Sequence, residues 1–214
     1  MKSSIIVMAW ILGVKALEKM PISLYGMINI SRIIFSVLLS CLILGEKITI
    51  ITLIGMSIII CGLVLVNKRT NKKEKKKTSF IVIMILLISC FLNAVSSVID
   101  KIVLVHVNSS QLQFWFLLFL TIDYWIIFII KKEKMTIKKN YWIPLAAIFL
   151  VLSDRFLFLA KENVNSSIII ITVLKQLSVI ATIILGKLLF NEKHIIIKLL
   201  YSLLIILGVI IMII

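Results

Sequence analysis

CLILGEKITIITLIGMSIIICGLVLV at residues 41–66 and KLLFNEKHIIIKLLYSLLIILGVIIM at residues 187–212 are two copies of one unit. They align without a gap at an offset of 146 residues. Glu46 falls on Glu192, Lys47 on Lys193, and Gly62 on Gly208, each glycine sixteen residues after its glutamate. A long apolar run precedes each glutamate and another follows it. The unit is therefore a pair of membrane helices joined by a short charged turn, used twice.

Outward from the repeat, the rest of the chain reads the same way. Its 214 residues are 62% hydrophobic, with a mean hydropathy of +1.19. Eight apolar runs stand out, at 3–18, 22–44, 48–66, 80–99, 111–130, 141–160, 167–190 and 195–214. About 20 apolar residues cross the hydrocarbon of a bilayer, and the first run, short and carrying Lys15, is the weakest candidate. The runs lack the alternation of a lipid-facing strand. Helices are then the remaining way to satisfy the backbone in lipid. The expected fold class is all-α: a polytopic membrane helix bundle of about eight transmembrane helices. Its N-terminus resembles a signal peptide, but no small-x-small cleavage site precedes the next span, so the first run reads as a retained helix.

Charge placement sets the topology. Residues 68–77 carry seven bases and one acid, and residues 131–139 five bases and one acid. No aromatic or glycine signature interleaves these lysines, so a nucleic-acid surface is set aside. Loops 15–20, 67–79, 131–140 and 191–198 are net positive, whereas 45–49, 100–110 and 161–167 are neutral. The positive-inside rule places the basic set, 67–79 and 131–140 above all, in the cytoplasm of a plasma-membrane protein. By this reading the chain divides into an incomplete first repeat of three helices (1–66), a basic linker (67–79) and a second repeat of five helices (80–214). Spans one to three then match spans six to eight, with Lys15 on Lys161. Two spans are missing at the N-terminus relative to a symmetric ten-span protein. Five spans is an odd number, so the two repeats are inverted in the membrane, an arrangement typical of carriers with a site between their halves.

The candidate site residues are the polar groups inside these spans. Before Glu46 stand Gly26, Asn29, Arg32, Ser36 and Ser40; before Glu192 the same five aligned positions hold Thr172, Lys175, Ser178, Thr182 and Gly186. At 100° per residue each set covers roughly a 120° arc, one polar stripe per helix. Small and hydroxyl residues also mark plain helix contacts in lipid. Arg32 and Lys175 ask for more, because an ionised base at mid-span costs about 2.5–3.5 kcal/mol unless it meets a partner or a wet cavity. Run 141–160 holds Ser153-Asp154-Arg155. Asp154 shares a face with Phe158 and Lys161, Arg155 with Glu162, and Asp154 could pair with Lys175 as a coupling carboxylate or a structural counter-ion. Ser89, Asn93, Ser96 and Asp100 form one polar edge on run 80–99 and its end. The substrate-path set is thus Asn29, Arg32, Ser36, Asn93, Ser96, Asp154, Arg155, Lys175, Gln176 and Thr182. Glu46 and Glu192 are expected to cap the helices that follow them. Gly55, Gly62 and Gly208 are expected at close helix contacts. Three cysteines without pattern argue against disulfides and metal sites, and no zinc, phosphate-loop or nucleophile–histidine motif is present. No enzyme activity and no cofactor or metal is expected.

The twice-used span, G/N-E-K turn and span with a late glycine resembles the EamA-type drug/metabolite transporter superfamily. The likeness is carried by Leu42–Lys47 followed by Leu53-Ile54-Gly55 through Gly62, by Leu188–Lys193 through Gly208, and by SDRFLFLAK at 153–161. Asn191 stands for the turn glycine, and Tyr201 for the glycine matching Gly55. Ile33 and Val179 stand where the family usually has proline, which leaves a kink in spans two and seven open. The resemblance implies secondary transport of a small metabolite (amino acid, nucleotide precursor, sugar or drug-like solute) by alternating access. Arg32, Lys175 and Arg155 outnumber the deep carboxylates and hint at an anionic group on the solute. The partners implied are that solute and the lipid bilayer, with no nucleic acid and with homo- or hetero-oligomers possible. The alternative is a non-transporting or accessory membrane subunit: a truncated remnant, or a lipid-carrier flippase-type component.

Overall fold

The computed structural model describes residues 2–73, 79–132, 141–162, 170–171, 178–190 and 195–211. Among these every regular element is helical: α1 Lys2–Leu17, α2 Ile22–Asn29, α3 Arg32–Leu44, α4 Ile50–Lys73, α5 Phe80–Leu104, α6 Ser109–Lys131, α7 Trp142–Glu162, α8 Ser178–Phe190 and α9 Ile195–Ile211. Four stretches are long and apolar enough to cross a membrane: 22–44, taking α2 and α3 together, α5, α6 and α7. Residues 50–62 form a shorter apolar stretch. The outer surface is greasy throughout, as a lipid-facing one must be; Ile148, Phe149 and Phe156 of α7 and Trp115 of α6 are all exposed.

Several boundaries differ from the sequence reading. α5 runs to Leu104 and α7 to Glu162, so Asp100, Lys101 and Lys161 belong to helices rather than to the neutral loops. Helical backbone continues there because both ends pack on neighbours and exchange polar contacts. α4 runs through Lys73, into the basic linker. The second span is broken, without a proline. Across Ile30–Ser31 the amides of Ile30, Ser31, Ile33 and Ile34 bond the carbonyls three residues back, at 2.8–3.2 Å. This tighter winding separates α2 from α3 and makes Arg32 the first residue of α3.

The turn after α3 is built by Gly45, in the left-handed conformation at φ 67° and ψ 21°. Its amide reaches Ser40 O, as does that of Glu46 at 3.3 Å. Three residues then separate Glu46 from the start of α4. The expected capping role of Glu46 therefore passes to Thr49, whose Oγ1 accepts from the Thr52 amide at 3.2 Å. Glu46 lies instead where its charge acts on Lys101. Glu192 lies outside the described residues.

Two apolar cores hold the bundle. One gathers Leu24, Met27, Ile33, Val37, Ile59 and Leu86 with Ile183 of α8 and Ile205 of α9. The other gathers Ile6 and Val7 of α1 with Leu112, Phe116 and Leu120 of α6 and Phe158 of α7. Helices carrying the matched turns pack on each other. A Cβ at Gly208 would sit 2.9 Å from Gly55 O and 3.0 Å from Ile59 Cγ1, and one at Gly62 would sit 2.6 Å from Ile205 Cγ1. Glycine is what lets α4 and α9 approach this closely. α2 meets α8 in the same way, with Gly26 against Thr182.

Candidate functional site

A cavity of about 90 Å3 lies against the second core. Lys2, Ile6, Trp10 and Arg32 line it from the N-terminal part of the chain; Asn93, Ser96, Ser97, Asp100, Phe116, Asp154, Leu157, Phe158 and Lys161 line it from beyond residue 80. Five ionisable side chains thus converge inside an apolar bundle. Such groups are expensive there and mark functional paths or paired structural charges.

Each is delivered by a named piece of backbone. The break at Ile30–Ser31 sets Arg32 against α5, where its Nη2 donates to Asn93 O at 3.2 Å. Its Nε is buried without a hydrogen-bond partner among the described residues. The polar edge of α5 carries the other contacts: Ser89 Oγ donates to Ala9 O of α1 at 2.7 Å, and Asn93 Nδ2 donates to Ser89 O at 2.9 Å. At the end of that edge Asp100 is 4% exposed and accepts from Lys161 Nζ at 2.8 Å. Asp100 also pairs with Lys2. The Lys2 ammonium is gripped on its other side by two rings, 4.0 Å from the Phe116 centroid and 4.3 Å from that of Phe158. Those rings meet edge to face, and cation–π attraction is strongest when the cation is desolvated. Lys161 is 2% exposed, and its carbonyl accepts from Lys101 Nζ at 3.0 Å. The carboxylate of Asp154 lies near enough for its charge to act on both Lys2 and Arg32.

Of the substrate-path residues, Arg32, Asn93, Ser96 and Asp154 are brought together on this cavity. Asn29, Ser36, Arg155 and Thr182 are not among its lining residues. Asn29 accepts from Cys90 Sγ through its side chain at 3.4 Å, so Cys90 does more than fill space. Ser36 is buried beside the first core. Arg155 turns the other face of α7 toward the start of α6, with Nη1 donating to Ser109 Oγ at 3.2 Å. Thr182 bonds back to Ser178 O at 3.1 Å and packs on Gly26. Lys175 and Gln176 lie outside the described residues, so the expected Asp154–Lys175 pairing does too.

The sequence pattern alone does not mark Lys2 and Lys161 as site residues. One signal was present: Asp154, Phe158 and Lys161 share a helical face, as do Asn93, Ser96 and Asp100. Two polar faces of similar depth on separate helices invite juxtaposition. For Lys2 no such pattern exists, because it opens α1 with no polar neighbour at helical spacing. A larger, open hollow of about 520 Å3 runs beside α6, bordered by Ile11, Tyr124, Trp125, Phe128 and Lys131. It is mainly apolar and aromatic, like the interfacial belt of a membrane protein, and none of the five converging charges borders it.

No curated protein matches the chain. The sequence model of the EamA-like transporter family matches residues 3–68 and 80–214, two segments that leave out only the basic stretch between them and the extreme N-terminus. With membrane-length helices, a glutamate turn repeated in the sequence and a polar cavity beside the second core, the chain belongs to the EamA-like transporter family as an integral, multi-pass membrane protein.

Proposed function

We propose that the chain moves a small metabolite across the plasma membrane by alternating access. The solute is held in the chamber around Arg32, Asn93, Ser96 and Asp154. The observation that carries this reading is the chamber's construction: residues on both sides of the basic linker supply its walls, and its polar groups face inward from an otherwise apolar bundle. Two matched blocks enclosing a site can rock about it, opening first one side and then the other. The close α4–α9 and α2–α8 crossings supply smooth surfaces for such motion, since glycine leaves no side chain to interlock.

At about 90 Å3, the cavity holds the volume of roughly three waters. That suits the polar head of a solute in a nearly closed conformation better than a whole metabolite. The Lys2–Asp100–Lys161 cluster ties α1, α5 and α7 together at one end of the chamber, where it acts as a closed gate. Basic loops 67–79 and 131–140 face the cytoplasm in this reading.

The test is uptake by proteoliposomes containing the purified chain, screened against pooled amino acids, nucleosides, sugars and carboxylates. At least one pool should show saturable, protein-dependent accumulation. Arg32→Ala should reduce it at least tenfold while leaving the chain folded. Wild-type vesicles no leakier than empty ones to every pool would end the carrier reading and favour an accessory subunit.

A further inference from the structure

We propose that the chamber is a seat for one negative charge, held at Arg32: the carboxylate of a monoanionic solute, or a free monovalent anion of that charge. This rests on the transport reading only in making the ligand the transported solute; the seat itself follows from charge and geometry.

The charge count comes first. Among the described residues lining the cavity, Lys2, Arg32 and Lys161 are cations and Asp100 and Asp154 are carboxylates. One positive charge is left over. An uncompensated charge is costly inside an apolar bundle, so the described groups favour a single anion in the cavity. A cation would worsen the imbalance, and a dianion would invert it. Among the described residues, groups around the cluster do not cancel it: Lys101 points to the Lys161 carbonyl and feels Glu46, and α6 lines the cavity with the Phe116 ring.

The donors come second. Lys161 is committed to Asp100 at 2.8 Å. Arg32 spends Nη2 on a backbone carbonyl, and its buried Nε has no hydrogen-bond partner among the described residues. A guanidinium offers paired donors suited to a carboxylate. Ser96 and Ser97 add hydroxyls to the same wall. The size agrees as well, since a carboxylate head or a halide fits about 90 Å3, and Ile6 and Trp10 tolerate a short carbon chain behind it.

The experiment uses the full chain in nanodiscs of neutral phosphatidylcholine, in a low-salt buffer whose own anion is too large for the cavity. Thermal unfolding and calorimetry are followed during titration with propionate, propionamide, chloride and sulfate. A monoanion should bind saturably, with propionamide and sulfate about tenfold weaker or more. Saturation by propionate alone identifies a carboxylate head; saturation by chloride, in competition with propionate, identifies a free anion site. Arg32→Gln should weaken binding about tenfold or more, and Arg32→Lys should restore part of it. Asp154→Asn leaves two positive charges in excess and should raise sulfate to at least the level of the monoanion; it serves should Arg32→Gln fail to fold.

The proposal is overturned if propionamide binds as well as propionate, if no monoanion binds, or if Asp154→Asn leaves the charge preference unchanged. Monoanion binding without transport of any solute would sink the carrier reading and leave the seat standing. Uptake of a neutral solute without monoanion binding would do the reverse.

Discussion

Asp100 is the residue on which the buried charges turn. It accepts from the Lys161 ammonium and is ion-paired with that of Lys2, while being 4% exposed. Two partners on one carboxylate make the consequences of substitution unequal. Removing Lys161 leaves Asp100 with Lys2; removing Asp100 strands the buried Lys161 and the partly buried Lys2 at once. Asp100→Asn should therefore cost about 3–5 kcal/mol, the range for breaking a buried pair, and Lys161→Met distinctly less. Thermal unfolding of both variants in the same detergent checks this. Equal losses would mean that Lys2 does not share the carboxylate. Arg155 makes the opposite point. It sits next to Asp154 in sequence, yet the helix turns it about 100° away, to Ser109 and Glu162 rather than to the cavity.

Among the elements, the break between α2 and α3 is the one that positions the site. Asn29 and Ser31, side chains that bond readily to nearby backbone, flank Ile30 and favour local departures from the helix. The amide of Ile33 then bonds Ile30 O, three residues back. The chain tolerates this at membrane depth because the irregular stretch is buried in protein: Ile30 is 1% and Ser31 5% exposed. Without the break, Arg32 would lie at mid-span of a continuous helix; with it, Arg32 opens α3 against the polar edge of α5. The α4–α9 pair is close-packed at its glycines. Gly208→Val would drive its new side chain into Gly55 O and Ile59, and should destabilise the protein by about 1–3 kcal/mol. Unfolding in detergent reads this; a loss below a few tenths would show that the crossing is looser than described.

At the scale of the whole molecule, the ends of α5 and α7 and the α3–α4 turn come together through Asp100, Lys101, Lys161 and Glu46. In the proposed topology of alternating spans, the basic loops 67–79 and 131–140 belong to the opposite face. In a chain with its three cysteines replaced, Lys75→Cys and Lys138→Cys should label only from the cytoplasmic side. Thr49→Cys and His106→Cys should label only from the other. Labelling of all four from one side would overturn the alternation. The all-helical class, the approximate helix positions and the close contacts at Gly62 and Gly208 were legible in the residues alone. Apolar runs in lipid have little choice but to close their hydrogen bonds within each segment, and a missing Cβ marks where two such segments meet. Arg32, Asn93, Ser96 and Asp154 were legible as polar exceptions for the same reason. That Lys2 and Lys161 would share Asp100, and that Arg155 and Thr182 would leave the chamber, only the tertiary structure decided. Helical periodicity fixes which residues share a face, but which faces meet depends on contacts between segments some 60 to 100 residues apart, and no local pattern encodes them.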